Sequence, residues 1–200
     1  FGLVKFFNKC EASGIKPISG CSINAIFDDD DHAYELLCLA KTNKGHKNLM
    51  KIISNAHNNN SHSSPIIKFN DLLNLKDDIV VISGGKKSHI FEFIKRNNIT
   101  DASKTIDKFT KYFKDDFAIE IQRTNRVDED DYIENILPIS IQKGIPIIAT
   151  NDVLFSSKDD FEIHETKVCI NTGKTLNDPN REKIFSEQQY FKSPIEMSKL

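Results

Sequence analysis

Apolar residues Leu3, Val4, Phe6 and Phe7 recur at helical spacing within residues 2–13, and Gly14 and Pro17 close the stretch, which predicts a short amphipathic helix. The runs KPISGCSINAIF (16–27) and YELLCLAKT (34–42) read as strands joined by the acidic loop DDDDH, and residues 43–58 return to helical period. A polar loop, NNNSHSSP, follows. DDIVVISGG (77–85) is a continuous apolar run between polar flanks, as suits a strand covered on both faces. Two helices come next, at 89–97 and 101–114, the second opened by Asp101 as N-cap. Strand FAIEIQR (117–123), helix 128–144 and strand IPIIATNDV (145–153) complete the readable pattern, with Pro138 expected to kink its helix.

Strand, helix, strand at this rhythm argues for parallel βα units and an α/β fold. In such folds ligands gather at the C-terminal edges of strands. The edges here are SGGKK (83–87), QRTNR (122–126) and TNDVLF (150–155).

Composition narrows the choice of function. Two hundred residues with 38% apolar content suffice for one sizeable core, and length favours a single compact domain. The 27 Lys and Arg against 29 Asp and Glu leave a net charge of −2, so there is no bulk field to attract nucleic acid or an anionic membrane. Cys10, Cys21, Cys38 and Cys169 form no CxxC pair, and Cys21 and Cys38 lie in apolar runs, as expected of buried free thiols in a reducing cytosol. No apolar run is long enough to span a bilayer and nothing at the start resembles a signal peptide, so a cytoplasmic location is expected. The chain starts without Met and stops inside an apparent helix near 194–200, which reads as a piece of something longer.

Several clusters invite chemistry and have plainer readings. SGGKK lacks both the Gly spacing and the Ser or Thr of a phosphate loop, so it is read as a glycine turn. Asp28 to Asp31 with His32 lack the spaced carboxylates and Gly of a calcium loop, and His57 and His62 flank a polar loop without companion ligands. His164 falls on the inner side of a helix, as a structural histidine would. Asp152 stands at a strand end, where an Asx turn or a helix cap competes with metal ligation and the turn is favoured.

Taken in order, KFFNKCEASGIKPISG, LLCLAKTNKGHKNL, IVVISGG, IPIIATNDV, DDFEIHETKVCI and FSEQQYFKSPIEM resemble the PHP (polymerase and histidinol phosphatase) family, in the form carried by the alpha subunits of proteobacterial replicative polymerases (DNA polymerase III). The resemblance covers nearly all 200 residues. It implies part of a distorted (β/α)7 barrel lacking its N-terminal strands, a PHP domain over 1–200 with the following segment beginning near 186–200, and exposed edges that would favour dimerisation or aggregation. It also implies a metal-ligand cluster at the strand ends, whose opening HxH motif and first Asp would lie upstream of this chain. Ser22 stands at a position where the family has an acidic residue, Glu35 and Thr124 stand where it has His, and the final N-D-x-H reads NDVL, keeping Asp152 and placing Leu154 at the His.

Asp152 and Glu35 are therefore the metal candidates that the resemblance leaves, and no catalytic residue is assigned. The resemblance implies a parent that is a DNA-directed DNA polymerase, a nucleotidyltransferase acting on DNA with Mg2+ in a distant palm domain. The PHP piece is expected to be an inactive scaffold that holds the rest of the alpha chain and docks the proofreading exonuclease subunit. The competing expectation is a PHP phosphoesterase or 3'-5' exonuclease using Zn2+ or Mn2+, whose converging ligands would activate a water.

Overall fold

A computed structural model describes residues 2–27, 32–58 and 65–200, so Asp28–Asp31 and His62 lie outside the described residues, while His32 and His57 are exposed. The contacts sort into two compact units, one made of residues up to His89 with Lys104–Ala118, the other of Ile90–Ser103 and Ile119–Leu200.

In the first unit, helix α1 (Leu3–Ala12) precedes strands β1 (Gly20–Ile26) and β2 (Ala33–Ala40). These pair antiparallel, which the short acidic loop expected between them allows, whereas a parallel pair would need a crossover of about a dozen residues or more. Alternation then divides the faces. Ile23, Ala25, Leu36 and Cys38 are buried, whereas Ser22, Asn24, Glu35 and Leu37 share the opposite, partly open face. Helix α2 (Asn43–Asn58) buries Gly45, Asn48, Leu49, Ile52 and Ala56, one stripe at helical period.

Strand β3 (Ile66–Lys68) pairs parallel with β1 and runs directly into helix α3 (Phe69–Asn74); neither is visible in the periodicity, since each is too short to complete a pattern. Strand β4 (Ile79–Ile82) runs antiparallel to β2 and parallel to the first residues of β5 (Phe117–Gln122). Ile79, Val81 and Ile82 are all buried, as the unbroken apolar run predicts. Phe27, Phe69, Phe109 and Phe117 fill the core, with ring centroids 4.8 Å apart for Phe27–Phe69 and for Phe109–Phe117.

In the second unit, residues Ile119–Gln122 of β5 pair parallel with β6 (Ile147–Thr150). Helix α4 (His89–Lys95) contributes Phe91 and Ile94, and helix α6 (Glu129–Lys143) contributes Tyr132, Ile133, Ile136 and Ile139. Phe91 and Tyr132 meet with ring centroids 4.8 Å apart. Helix α6 stays continuous through Pro138, which lies on the exposed side; the carbonyl deprived of a donor belongs to exposed Glu134, where solvent can take its place. Helix α5 (Ile99–Phe113) is capped by Asn98 and not by Asp101. Asp101 donates its backbone N–H to Asn98 Oδ1 at 3.2 Å and accepts from Asn98 Nδ2 at 2.7 Å, so the cap lies three residues before the expected one.

Helix α7 (Phe161–Thr172) sets the His164 ring 4.9 Å from Phe185 and 5.5 Å from Phe155, the structural placement expected of it. The short helix α8 (Pro194–Met197) opens with a full capping box between Ser193 and Glu196. Bonds from the Ser193 backbone N–H, the Tyr190 hydroxyl and the Ser193 hydroxyl hold the Glu196 carboxyl down at about 2. A carboxyl held low stabilises the fold above its ordinary value near ~4.3 and loses that contribution as pH falls through the lowered value. The expected result is a Glu196 carboxyl carbon that titrates at about 2 by NMR, with the cap intact at pH 4; a midpoint in the ordinary range would contradict the box. No helix among the described residues is long and apolar enough to cross a membrane.

Candidate functional site

Strands β5 and β6 are parallel, so Gln122 and Thr150 finish at the same edge of their ladder and the segments that follow them meet there. What gathers the segments is Arg126. Its Nη1 donates to Asp152 Oδ2 at 2.9 Å, its Nη2 to Gln122 Oε1 at 2.7 Å, and its Nε to Glu129 Oε1 at 3.0 Å and Thr124 Oγ1 at 2.8 Å. Glu129 in turn accepts from the Thr124 backbone N–H and from the Thr124 hydroxyl, both at 2.6 Å. The guanidinium fork is thus spent on two carboxylates, an amide and a hydroxyl, with the Arg126 side chain 12% exposed and that of Glu129 4% exposed.

A strap from Ser186 to Lys192 closes over the same edge. Fully buried Gln189 donates Nε2 to Asp152 Oδ2 at 2.9 Å and accepts the Ser186 N–H at 3.0 Å, while the Ser186 hydroxyl donates to the Thr124 carbonyl. Leu154 donates its N–H to the Gln189 carbonyl at 2.8 Å, and Phe155 pairs with Tyr190. Asn151 donates Nδ2 to the carbonyls of Gln188 and Tyr190, and the buried Lys192 amine reaches Asn151 Oδ1 at 3.0 Å. Burial pushes the Lys192 amine down from its ordinary range, against the opposing pull of the Glu196 carboxylate. Asp152 itself takes φ +45°, the left-handed turn that Asp tolerates. It braces the strand end through Oδ2, which accepts from both Arg126 and Gln189.

The other candidates lie in the first unit. Ser22 and Glu35 fall on the same face of the β1–β2 ladder, with Asn24 directly opposite Glu35 and Leu37 opposite Ser22. Glu35 faces Lys87 at 3.5 Å, an exposed pair of little energetic weight. The SGGKK turn passes against the Glu35 backbone. Gly84 takes φ +86°, and a Cβ there would lie 2.1 Å from the Glu35 carbonyl oxygen.

A divalent cation does not fit Asp152 as it stands. An ion on this carboxylate would sit within about 5 Å of the Arg126 guanidinium, and at an effective dielectric near ~20 the repulsion is on the order of 6 kcal/mol. Thr124 is fully buried and engaged with Glu129 and Arg126, and Leu154 carries no donor atom. Among the described residues, no three His, Cys, Asp or Glu side chains come together as a metal site. Sequence reasoning marked QRTNR as a strand edge but passed over Arg126, Glu129, Gln122 and Gln189. The one local signal was an Arg three residues before a Glu at a helix start, a pattern usually seen in solvent.

This edge, with carboxylates and polar side chains collected where parallel strands end, defines an α/β protein whose parallel-strand edge is held by a side-chain cation. The PHP domain family model matches residues 1–124, and the chain belongs to that family. Over its full length it is 33% identical to DNA polymerase III subunit alpha of Haemophilus influenzae and 35% identical to that of Escherichia coli K12. Across 99% of its length it is 34% identical to the Pseudomonas aeruginosa subunit of the same name. The chain spans 17% of the length of these relatives.

Proposed function

We propose that this chain is the PHP region of a replicative DNA polymerase III alpha subunit and that it serves there as a scaffold, not as a phosphoesterase. The observation that carries the reading is the Arg126 guanidinium, which holds Asp152, Glu129, Gln122 and Thr124 where family logic would put a cation. A phosphoesterase needs an open coordination position to activate water and grip phosphate oxygens. All three guanidinium nitrogens of Arg126 are directed at side chains of this edge, and the Ser186–Lys192 strap covers the same edge. The polymerase activity, its Mg2+ and its DNA substrate belong, on this reading, to the remainder of the alpha chain in the cytoplasm.

The scaffold's partners are that remainder and the proofreading exonuclease subunit. Full-length identity to three alpha subunits supports the first; the second follows from the family resemblance. Docking is tested by gel filtration of the mixed proteins. Co-elution of the alpha subunit carrying this chain with the exonuclease, lost when the chain is deleted, is the expected result. Separate elution would reject docking and leave the scaffold role toward the rest of alpha to be judged by polymerase activity of the deletion.

A further inference from the structure

The pairing register of β1 and β2 sets Cys21 directly opposite Cys38. The Ala40 N–H donates to the Ser19 carbonyl at 2.9 Å two residues along, which puts Cys21 and Cys38 in the same hydrogen-bonded phase of the ladder. Paired residues of that phase have Cα atoms ~5.5 Å apart, inside the ~4.4–6.8 Å range that a disulfide spans. Both side chains point to one face by strand alternation, Cys38 fully buried and Cys21 half-buried, and both are free thiols. We propose that Cys21 and Cys38 form a peroxide-driven cross-strand disulfide, a redox site that rivets the two strands bearing Ser22 and Glu35 on their opposite face.

The chemistry follows from the difference in exposure. Cys21, the accessible partner, attacks hydrogen peroxide; its S–O bond forms as the O–O bond breaks, giving a sulfenic acid and one water. The Cys38 sulfur then attacks the Cys21 sulfur, the S–S bond forms, and the hydroxyl leaves with the Cys38 proton as a second water. Two thiols lose two electrons and peroxide takes them. Burial pushes both thiols up from their ordinary range, which makes the first step slow and confines it to strong oxidant. Opposed side chains in a ladder hold their Cβ atoms ~4.5–5.5 Å apart, somewhat wider than the ~3.8 Å of a relaxed disulfide, so the bond closes under tension and yields readily to a reducing thiol.

The test is peptide mapping by mass spectrometry of the reduced alpha subunit carrying this chain after hydrogen peroxide, with remaining thiols alkylated. The expected result is a peptide pair joined through Cys21 and Cys38, lighter by two hydrogens and separated by dithiothreitol, with a raised thermal midpoint. The Cys21→Ser variant, altered at the half-exposed position, should leave Cys38 as an alkylatable thiol. Cys21 over-oxidised with Cys38 still reduced, links through Cys10 or Cys169 instead, or no link once the exposed thiols are consumed would each overturn the proposal.

Discussion

Replacing Arg126 by alanine is expected to cost the fold about 3–5 kcal/mol, the range for removing one partner of a buried ion pair. The loss arises less from the bonds that disappear than from what stays behind. Glu129 is 4% exposed at its side chain and would be left buried with only the Thr124 donors and the backbone N–H of residue 126 as partners. Gln122 and Asp152 would lose a shared donor, and the strap held through Gln189 would lose the partner of its anchor. Arg126→Lys should recover only part of the loss, because an ammonium cannot span four acceptors in a planar fork. Guanidinium chloride unfolding followed by circular dichroism reads the difference, and a chain of this size should lose roughly 10 °C in thermal midpoint. A loss under about 1 kcal/mol would mean that the network is ornamental.

Gly84→Ala is expected to be as damaging for a different reason. The residue takes φ +86°, and the added Cβ would meet the Glu35 carbonyl oxygen at 2.1 Å and its carbon at 2.7 Å. Both obstacles are backbone atoms of β2, so no rotamer change relieves the clash and the strand or the turn must move. The left-handed conformation alone costs ~1–2 kcal/mol, and the total should exceed about 3 kcal/mol. Gly144→Ala supplies the control, since it shares a positive φ of +64° but has nothing within 4 Å of the new Cβ. Equal losses from the two variants, measured by denaturant unfolding, would show that the close approach to Glu35 carries no energy.

The chain announced its long elements because period and length agree in them. Helix α2 buries one stripe, β4 is covered on both faces, and α6 keeps its apolar face through Pro138. Elements too short to repeat a pattern, β3 of 3 residues and α3 of 6, left no trace, and the cap of α5 moved from Asp101 to Asn98 because either side chain can play that part. That β2 also pairs with β4 could not be read, as alternation records faces and not neighbours.

The site was legible only in outline. Asp152 could be placed at a strand end from its neighbours, and the family resemblance supplied the reason to look at Ser22, Glu35, Thr124 and Leu154. The partner of Asp152 could not be read, because Arg126 lies 26 residues away and Gln189 lies 37 away, and their meeting depends on how two loops and a strap return to one edge. A buried arginine in a polar loop looks in sequence like any solvated one.

The central claim is that a guanidinium holds the ligand edge in place of a metal. Elemental analysis of the alpha subunit carrying this chain, purified with zinc and manganese supplied, tests it most directly when the Asp152 edge is probed by the Arg126→Ala variant in parallel. The account predicts far less than one equivalent of either metal at this domain in the parent protein, and no phosphodiester turnover that a chelator removes. One full equivalent lost together with turnover on chelation would contradict it and make Asp152 a ligand after all.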